Sequence, residues 1–405
     1  MIGNVLEWYG FAVYAYMATV IAKSFFPAQD EITSLLSTFA AFGVGFVVRP
    51  LGGIVIGRLG DVRGRKTALV LTILLMAVGT VMIGCIPTYE SIGVAAPLLI
   101  LLARLLQGFS AGGEWGGSTA FIVEWAPPEQ RGLYGSLQQS SVACGLLLGS
   151  GIAALVSTLL STAAVGAWGW RVPFLLGGLL APIGLYMRRN IEETPAFTRL
   201  AQQAAAPAVS GSAMRLAFRA FGFTILWTVS YYIVLSYMPT FLQKYVGLPR
   251  THALWTTSAG LLLLVIAAPV LGWCSDRIGR KPLLLAACIA FLVLSYPLFS
   301  ILLSQPSLAT AISVQLTLAL AIAVFSGPGP AAIAEIFPTA VRSTWMSAGY
   351  SVAVAVFGGF APFIATWLIA HTGNPISPSF YVMAAAAVSM VVILRMEETA
   401  GKALR

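Results

Sequence analysis

Long apolar runs separated by short polar punctuation organise this chain. Stretches of about 20 apolar residues, each able to cross a hydrocarbon core of ~30 Å as a helix, fall at 3–22, 34–57, 67–86, 96–119, 134–160, 170–187, 218–242, 253–273, 283–303, 309–333, 345–370 and 378–395. The pattern predicts an all-α integral membrane protein of twelve transmembrane helices. The longest polar connection contains Gln202, Pro207 and Gly211 and has neither a spanning pattern nor the apolar content of a folded core. It predicts a first six-helix bundle over 1–187, a cytoplasmic linker over 188–217 and a second six-helix bundle over 218–405.

The polar punctuation repeats. The run Gly57-Arg-Leu-Gly-Asp61-Val-Arg63-Gly-Arg65-Lys66 returns, 215 residues later, as Gly272-Trp-Cys-Ser-Asp276-Arg277-Ile-Gly279-Arg280-Lys281. In each copy an Asp follows the end of one apolar stretch and a basic cluster precedes the next. A second pair agrees: Glu124 precedes Arg131 by seven residues, and Glu335 precedes Arg342 by seven. Repeats of this length predict two bundles related by pseudo-twofold symmetry.

Composition strengthens the membrane assignment: 58% of residues are hydrophobic and only 9% charged, against roughly 25% charged in soluble domains. Mean hydropathy is +0.88. The net charge of +9 does not point to nucleic acid, because 17 of the 23 Lys and Arg residues fall on one side of the twelve-span map. Basic residues stay in cytoplasmic loops, so both termini are expected in the cytoplasm, with the first span retained as an anchor. The four cysteines, Cys85, Cys144, Cys274 and Cys288, lack metal-ligand spacing and are expected to pack as small residues. His252 and His371 fall at expected external loops. No metal, cofactor or enzyme arrangement is expected, only a small-molecule substrate, protons and the lipid bilayer as partners of a chain acting as a monomer.

Ionisable residues inside the bilayer are costly and mark function. Glu7, Arg49, Arg104 and Glu114 are the four here, all in the first half. Span directions place Glu7, Arg49 and Glu114 near one another toward the cytoplasm, with Arg104 deeper in a central cavity. A carboxyl whose cationic partner moves takes up and releases protons, so these four are the candidates for proton coupling, and Arg104 also for holding a carboxylate. Arg49 also suits a structural part, neutralising Glu7, and Glu114 a packed ion pair among small residues, whereas an arginine as deep as Arg104 has few structural uses.

Polar and aromatic positions mark a candidate substrate cavity. Asn4, Glu7, Phe11 and Tyr14 share one face of the first span, Gln107, Gln138 and Gln139 lie where lipid is unfavourable, and Trp227, Tyr231, Tyr232 and Tyr350 come from the second half. Asp61, Arg65, Lys66, Glu124, Arg131, Asp276, Arg280, Glu335 and Arg342 are expected to gate the cytoplasmic side by pairing with each other and with helix termini. Gly327-Pro328-Gly329-Pro330 should break or bend the tenth span.

Together these motifs carry a resemblance. The paired hinges resemble the signature loops of the major facilitator superfamily over essentially the whole chain. More narrowly, Gly3-Asn4-Val-Leu-Glu7-Trp8-Tyr9, Arg49-Pro50-Leu-Gly52-Gly53 and the run from Arg104 to Glu114 resemble the metabolite:proton symporter family, whose members carry proline and betaine, α-ketoglutarate, citrate and related tricarboxylates, or shikimate. Tyr237-Met-Pro239-Thr-Phe-Leu and Gly358-Gly359-Phe-Ala-Pro362 fit it as well. The resemblance implies two rocking bundles, proton-driven import across the inner membrane, and a coupling role for Arg104.

One departure stands out: Gly10 occupies the place where that family usually has an acid after Glu-Trp-Tyr. The expected activity is symport of a small carboxylate-bearing metabolite. Arg104 and Arg49 favour a di- or tricarboxylate such as citrate, with a zwitterion such as proline or betaine second. Export of drugs or metabolites is the third reading, disfavoured because Gly145-Leu-Leu-Leu-Gly149-Ser-Gly151 lacks the proline expected of exporters.

Overall fold

The computed structural model describes residues 2–63, 65–112, 114–189, 211–338, 342–402 and 404. Within helices, the side chains of Asp61, Arg65, Lys66 and Glu114 also lie outside the described set. The described residues are overwhelmingly helical, and the helices trace twelve spans in two bundles of six.

In the first bundle the spans are Ile2–Tyr16 continued by Ala18–Phe25, Glu31–Val47 continued by Arg49–Arg63, Arg65–Cys85, Ala95–Ala111 continued by Glu114–Trp125, Arg131–Leu159, and Arg171–Arg189. In the second they are Gly211–Tyr232 continued to Lys244, Arg250–Ile278, Arg280–Ser304, Leu308–Ser326 continued by Gly329–Glu335, Arg342–Ala353 continued to Thr372, and Ser377–Leu394. Among the described residues, nine of these helices are long and apolar enough to cross a membrane by that measure alone, and the bent first span makes ten. Large apolar side chains such as Leu51, Leu98, Leu155, Ile266, Val293 and Leu320 are exposed on the outer faces, as a lipid-facing surface requires.

Local chemistry sets the boundaries. Asp30 starts the second span by accepting the Thr33 N–H at 2.8 Å, and Ser307 starts the tenth by accepting Thr310 N–H at 3.1 Å, both N-caps. Between the eighth and ninth spans Gly279 has φ +103°, a conformation side chains rarely tolerate, so the hinge turns there. The fourth span crosses the second where Gly108 faces Gly45; a methyl group on Gly108 would strike the Gly45 carbonyl, so only small residues permit this approach.

Four features differ from the sequence reading. The first span bends by 65° at Met17, although neither proline nor glycine stands there. The seventh helix already begins at Gly211, inside the stretch expected to be linker. Cys85 is exposed at the end of the third span, whereas Cys288 is buried, so packing explains only the latter. His252 and His371 sit on the first and last turns of helices rather than in loops. The expected break at Gly327-Pro328 is present, and the two pieces still form one span, Leu308–Glu335, without a bend of more than 40°.

Candidate functional site

The two bundles meet along the fifth and eighth spans from end to end. At the hinge end, Asp276 accepts the N–H groups of Gly132 and Leu133 at 2.8 and 2.9 Å. Its carboxylate thereby caps the positive start of the fifth helix. Farther along, Ser140 donates to the Val265 carbonyl at 3.0 Å, Ser150 pairs with Ser258 at 2.8 Å, and at the far end Trp255 donates to Thr158 at 3.3 Å. Gly132 and Gly272 make the hinge-end contact close enough that a Cβ on Gly272 would meet Ser136 Cβ at 2.7 Å.

Further contacts close both ends. At the hinge end Arg342 donates to Glu124 at 2.6 Å, and Arg131 donates to the Lys402 carbonyl at 2.7 Å. Arg280 pairs with Asp276 at 2.7 Å and with Glu335 at 3.3 Å, while Thr399 donates to Glu335 at 2.5 Å. At the far end Tyr16 donates to the Leu235 carbonyl at 2.9 Å, Arg250 donates to Thr19 at 2.7 Å, and Lys244 pairs with Glu31. The expected gating residues that are described, Glu124, Arg131, Asp276, Arg280, Glu335 and Arg342, therefore all lie in one hinge-end network. Asp61, Arg65 and Lys66 lie outside the described side chains.

Between these two closures sits a small central cavity lined by Trp8, Gln139, Val142, Trp227, Thr228, Tyr231, Tyr232 and Tyr350. It measures about 20 Å³, room for about one water. Both bundles build it. Trp115 stacks flat on Tyr350 with ring centroids 3.5 Å apart and meets the edge of Trp227 at 5.9 Å. The seventh and eleventh spans widen into π-helical turns at Ile233–Tyr237 and Val354–Gly359, a deviation often found at functional sites. Within the second of these turns, Gly358 leaves space for Thr228 and Tyr232.

Among the described residues the lining is polar without being charged. Thr228 Oγ1, Tyr231 OH, Tyr232 OH and Gln139 Oε1 are buried with no hydrogen-bond partner among the described residues. Leaving such groups unsatisfied costs ~1–3 kcal/mol each, so the cavity is built to receive hydrogen-bonding partners.

Glu7 and Arg49 are the neighbours the sequence predicts, whereas Arg104 is placed differently from the expectation. Glu7 accepts from Arg49 at 3.4 Å, and Arg49 also donates to the Ala111 carbonyl at 3.2 Å. Arg104, fully buried, does not line the central cavity. It lies within the first bundle, its guanidinium 4.7 Å from the ring centroids of Phe11, Tyr14 and Phe42. It donates to Gln107 at 2.7 Å and to the Phe42 carbonyl at 3.2 Å. Depth along a helix was readable from sequence, but the side toward which the arginine points was not.

The remaining candidates divide. Gln139, Trp227, Tyr231, Tyr232 and Tyr350 line the cavity. Asn4 is occupied with Ser141 at 2.8 Å, and Tyr14 donates to the Thr38 carbonyl at 3.1 Å. Gln107 bridges Arg104 and Thr80, while Gln138 has both side-chain polar atoms unpartnered but does not line the cavity. Glu114 lies outside the described side chains. Sequence reading missed Trp8, Trp115 and Thr228, the first two hidden beside the more conspicuous Glu7 and Glu114.

The family model for sugar (and other) transporters matches residues 1–215 and again 209–405. The glycine betaine/proline/ectoine/pipecolic acid transporter OusA of Dickeya dadantii is 35% identical over the whole chain and 83% of its own length. A citrate-proton symporter of Klebsiella pneumoniae is 38% identical over 95% of this chain and 87% of that protein. Among solved structures, the partially occluded inward-open xylose transporter XylE of Escherichia coli superposes with a TM-score of 0.80 over 100% of this chain and 97% of that one. Sequence identity to XylE is 19%, so this similarity speaks for the fold.

Proposed function

The chain belongs to the sugar (and other) transporter family, with the two-bundle fold of the major facilitator superfamily, and from that premise we propose that it is a proton-coupled symporter for a small zwitterion bearing one carboxylate. The observation that carries this reading is the chemistry of the central cavity, five aromatic rings and several unpartnered hydroxyl and amide groups, with no charged lining residue among the described side chains. Aromatic faces attract an ammonium head, and hydroxyl donors such as Tyr231, Tyr232 and Thr228 suit a single carboxylate. The betaine and proline carriers among its relatives support the same class.

A second reading, a di- or tricarboxylate such as citrate, has the Klebsiella relative in its favour. The cavity speaks against it. Arg49 is engaged by Glu7 and Arg104 is boxed by three rings inside the first bundle. Several carboxylates would then be desolvated without cations to compensate them.

Transport proceeds by alternating access. Entry from the far side requires release of Lys244 from Glu31, Arg250 from Thr19 and Tyr16 from Leu235. Exit at the hinge end requires release of Asp276 from the fifth helix, Glu124 from Arg342 and Arg131 from the Lys402 carbonyl. The excess of basic residues supports a hinge end and termini facing the cytoplasm from a bacterial inner membrane. One chain supplies the complete cavity, so a monomer suffices.

The reading is tested by substrate-induced proton movement in proteoliposomes. Glycine betaine or proline should alkalinise the outside. Alkalinisation by citrate alone would transfer the assignment to the second reading, and none with any of these compounds would remove symport.

A further inference from the structure

A second cavity lies inside the first bundle, on the other side of the first span. It too measures about 20 Å³, and its walls include Glu7, Tyr9, Thr72, Met76, Thr80 and Ser110. Consecutive residues of one helix thus face two compartments, because each step turns by about 100°. Trp8 lines the central cavity between the bundles, whereas Leu6, Glu7 and Tyr9 line the inner one.

We propose that protons exchange with Glu7 through this inner cavity, so that the first span separates the proton route from the substrate route. This deepens the symport reading and rests on it. The inner cavity has the size and polarity to hold a bridging water. Ser110 Oγ donates to the Thr72 carbonyl at 2.6 Å, which leaves its oxygen able to accept from that water, while Thr80 Oγ1 donates to the Met76 carbonyl at 2.8 Å and accepts from Gln107 at 2.9 Å, which leaves it one further lone pair. Thr72 stands seven residues from the start of the third helix at Arg65, about 10 Å from the hinge end at 1.5 Å per residue. The inner cavity therefore lies close to the hinge end, and within one bundle rather than between two.

The charge surroundings of Glu7 fit a proton site. Arg49 of the second span faces it at 3.4 Å, Tyr9 stands beside it on its own helix, and Tyr232 and Tyr350 are the nearby titratable residues of the second bundle. Among the described residues the third and sixth spans contribute only uncharged side chains to the inner cavity, and the Glu114 side chain of the fourth lies outside the described set. In the step itself the O–H bond of the Glu7 carboxyl breaks, the proton passes to the bridging water, and the carboxylate left behind is neutralised by Arg49. The proton thus leaves without crossing the space occupied by the solute.

Filling the inner cavity should obstruct this step and spare the substrate path. Ala77 also lines the inner cavity; in proteoliposomes, net uptake of labelled glycine betaine or citrate driven by an imposed proton gradient is compared with exchange of the same compound at equal pH, in wild type, Ala77→Leu and the small-residue control Ala77→Ser. Expected for Ala77→Leu is net uptake slowed at least about tenfold, equivalent to ~1.4 kcal/mol on the barrier, with exchange preserved and Ala77→Ser like wild type. Preserved exchange also shows that the variant is folded. If Ala77→Leu loses both activities, Ser110→Val, which removes one hydroxyl of the wall, is put through the same comparison, and joint loss there too overturns the separate route. A wild type that couples protons while Ala77→Leu couples equally well overturns the route alone. A wild type that moves no protons with either compound overturns both the route and the symport reading.

Discussion

Glu124 and Arg342 stand 218 positions apart in the chain, yet Arg342 Nη1 lies 2.6 Å from Glu124 Oε1 across the boundary between the bundles. Each belongs to a Glu-x6-Arg repeat, but the pairing is not within a repeat: the glutamate of the first half holds the arginine of the second. Arg342 is fully buried and also donates to the Ala334 and Phe337 carbonyls, each at 2.9 Å, so it is held rigidly on one side while Glu124 supplies the link to the other.

Glu124→Gln should therefore shift the molecule toward opening at the hinge end. Glu124 is partly exposed, so solvent screening limits the effect to ~1 kcal/mol, roughly a fivefold change in the ratio of open to closed forms. Spin-label distances between the fourth and eleventh spans would show a larger long-distance population. An unchanged distribution would deny this pair a gating role.

Asp276→Asn should have a larger effect with the same sign. The carboxylate caps two N–H groups of the fifth helix and pairs with Arg280 at 2.7 Å. An amide oxygen still accepts a bond but loses the charge that meets both helix dipole and guanidinium, worth about 1–3 kcal/mol. The same distance measurement should rank Asp276→Asn above Glu124→Gln.

Tyr232→Phe and Trp227→Leu test the central cavity. Removing a hydroxyl that binds a carboxylate forfeits ~1.5–3 kcal/mol, so the half-saturating glycine betaine concentration should rise by roughly 10- to 150-fold in Tyr232→Phe. Trp227→Leu should weaken the ammonium contact. Wild-type saturation in both variants would place the substrate elsewhere.

Gly10→Asp tests the missing first-span acid. A Cβ on Gly10 would meet Thr80 Oγ1 at 2.8 Å and Gln107 Nε2 at 3.5 Å, so a carboxylate there must displace the Gln107 to Thr80 bond of 2.9 Å. It would then compete with Gln107 for Arg104. The pH dependence of uptake should change in Gly10→Asp but not in Gly10→Ala, which tests crowding alone. Identical profiles for both would mark the position as neutral.

The C-terminal segment gives a pH signature of its own. Burial of Glu398 opposes its ionisation, but the N–H groups of Ala400, Arg280, Lys281 and Thr399 outweigh it and hold the carboxyl below its ordinary value. The linkage follows: a lowered native pKa stabilises the fold fully above the unfolded value of about 4.3, and that contribution disappears as pH falls through the native value. The melting temperature of wild type in detergent should thus exceed that of Glu398→Gln at neutral pH, with the gap closing in acid. A gap independent of pH would deny the carboxylate this part.

The spans were legible in the sequence because a bilayer demands about 20 apolar residues per crossing, a constraint no tertiary contact overrides. The hinge network was legible as residue types at repeated spacing, and not as pairings, since Glu124 and Arg342 meet only once the two halves close. Arg104 shows the other limit. Its depth followed from counting residues, but its direction depends on the aromatic box of Phe11, Tyr14 and Phe42, which comes from two different helices. The chemistry of the cavity was half-visible for a related reason: Trp8 and Trp115 gain their meaning from Tyr231, Tyr232 and Tyr350 in the second bundle.

The unbroken seam between the fifth and eighth spans makes the two bundles behave as a seesaw with its fulcrum along that line. With Gly132 and Gly272 touching at one tip and Thr158 and Trp255 bonded at the other, neither tip gapes without the opposite tip being pressed shut. Loosening the hinge-end latch and loosening the far-end latch are then opposing weights on the same beam. A variant that is sluggish because Glu124 has lost its charge should regain speed when Lys244 or Arg250 is weakened as well, although the two lesions lie on opposite faces of the membrane.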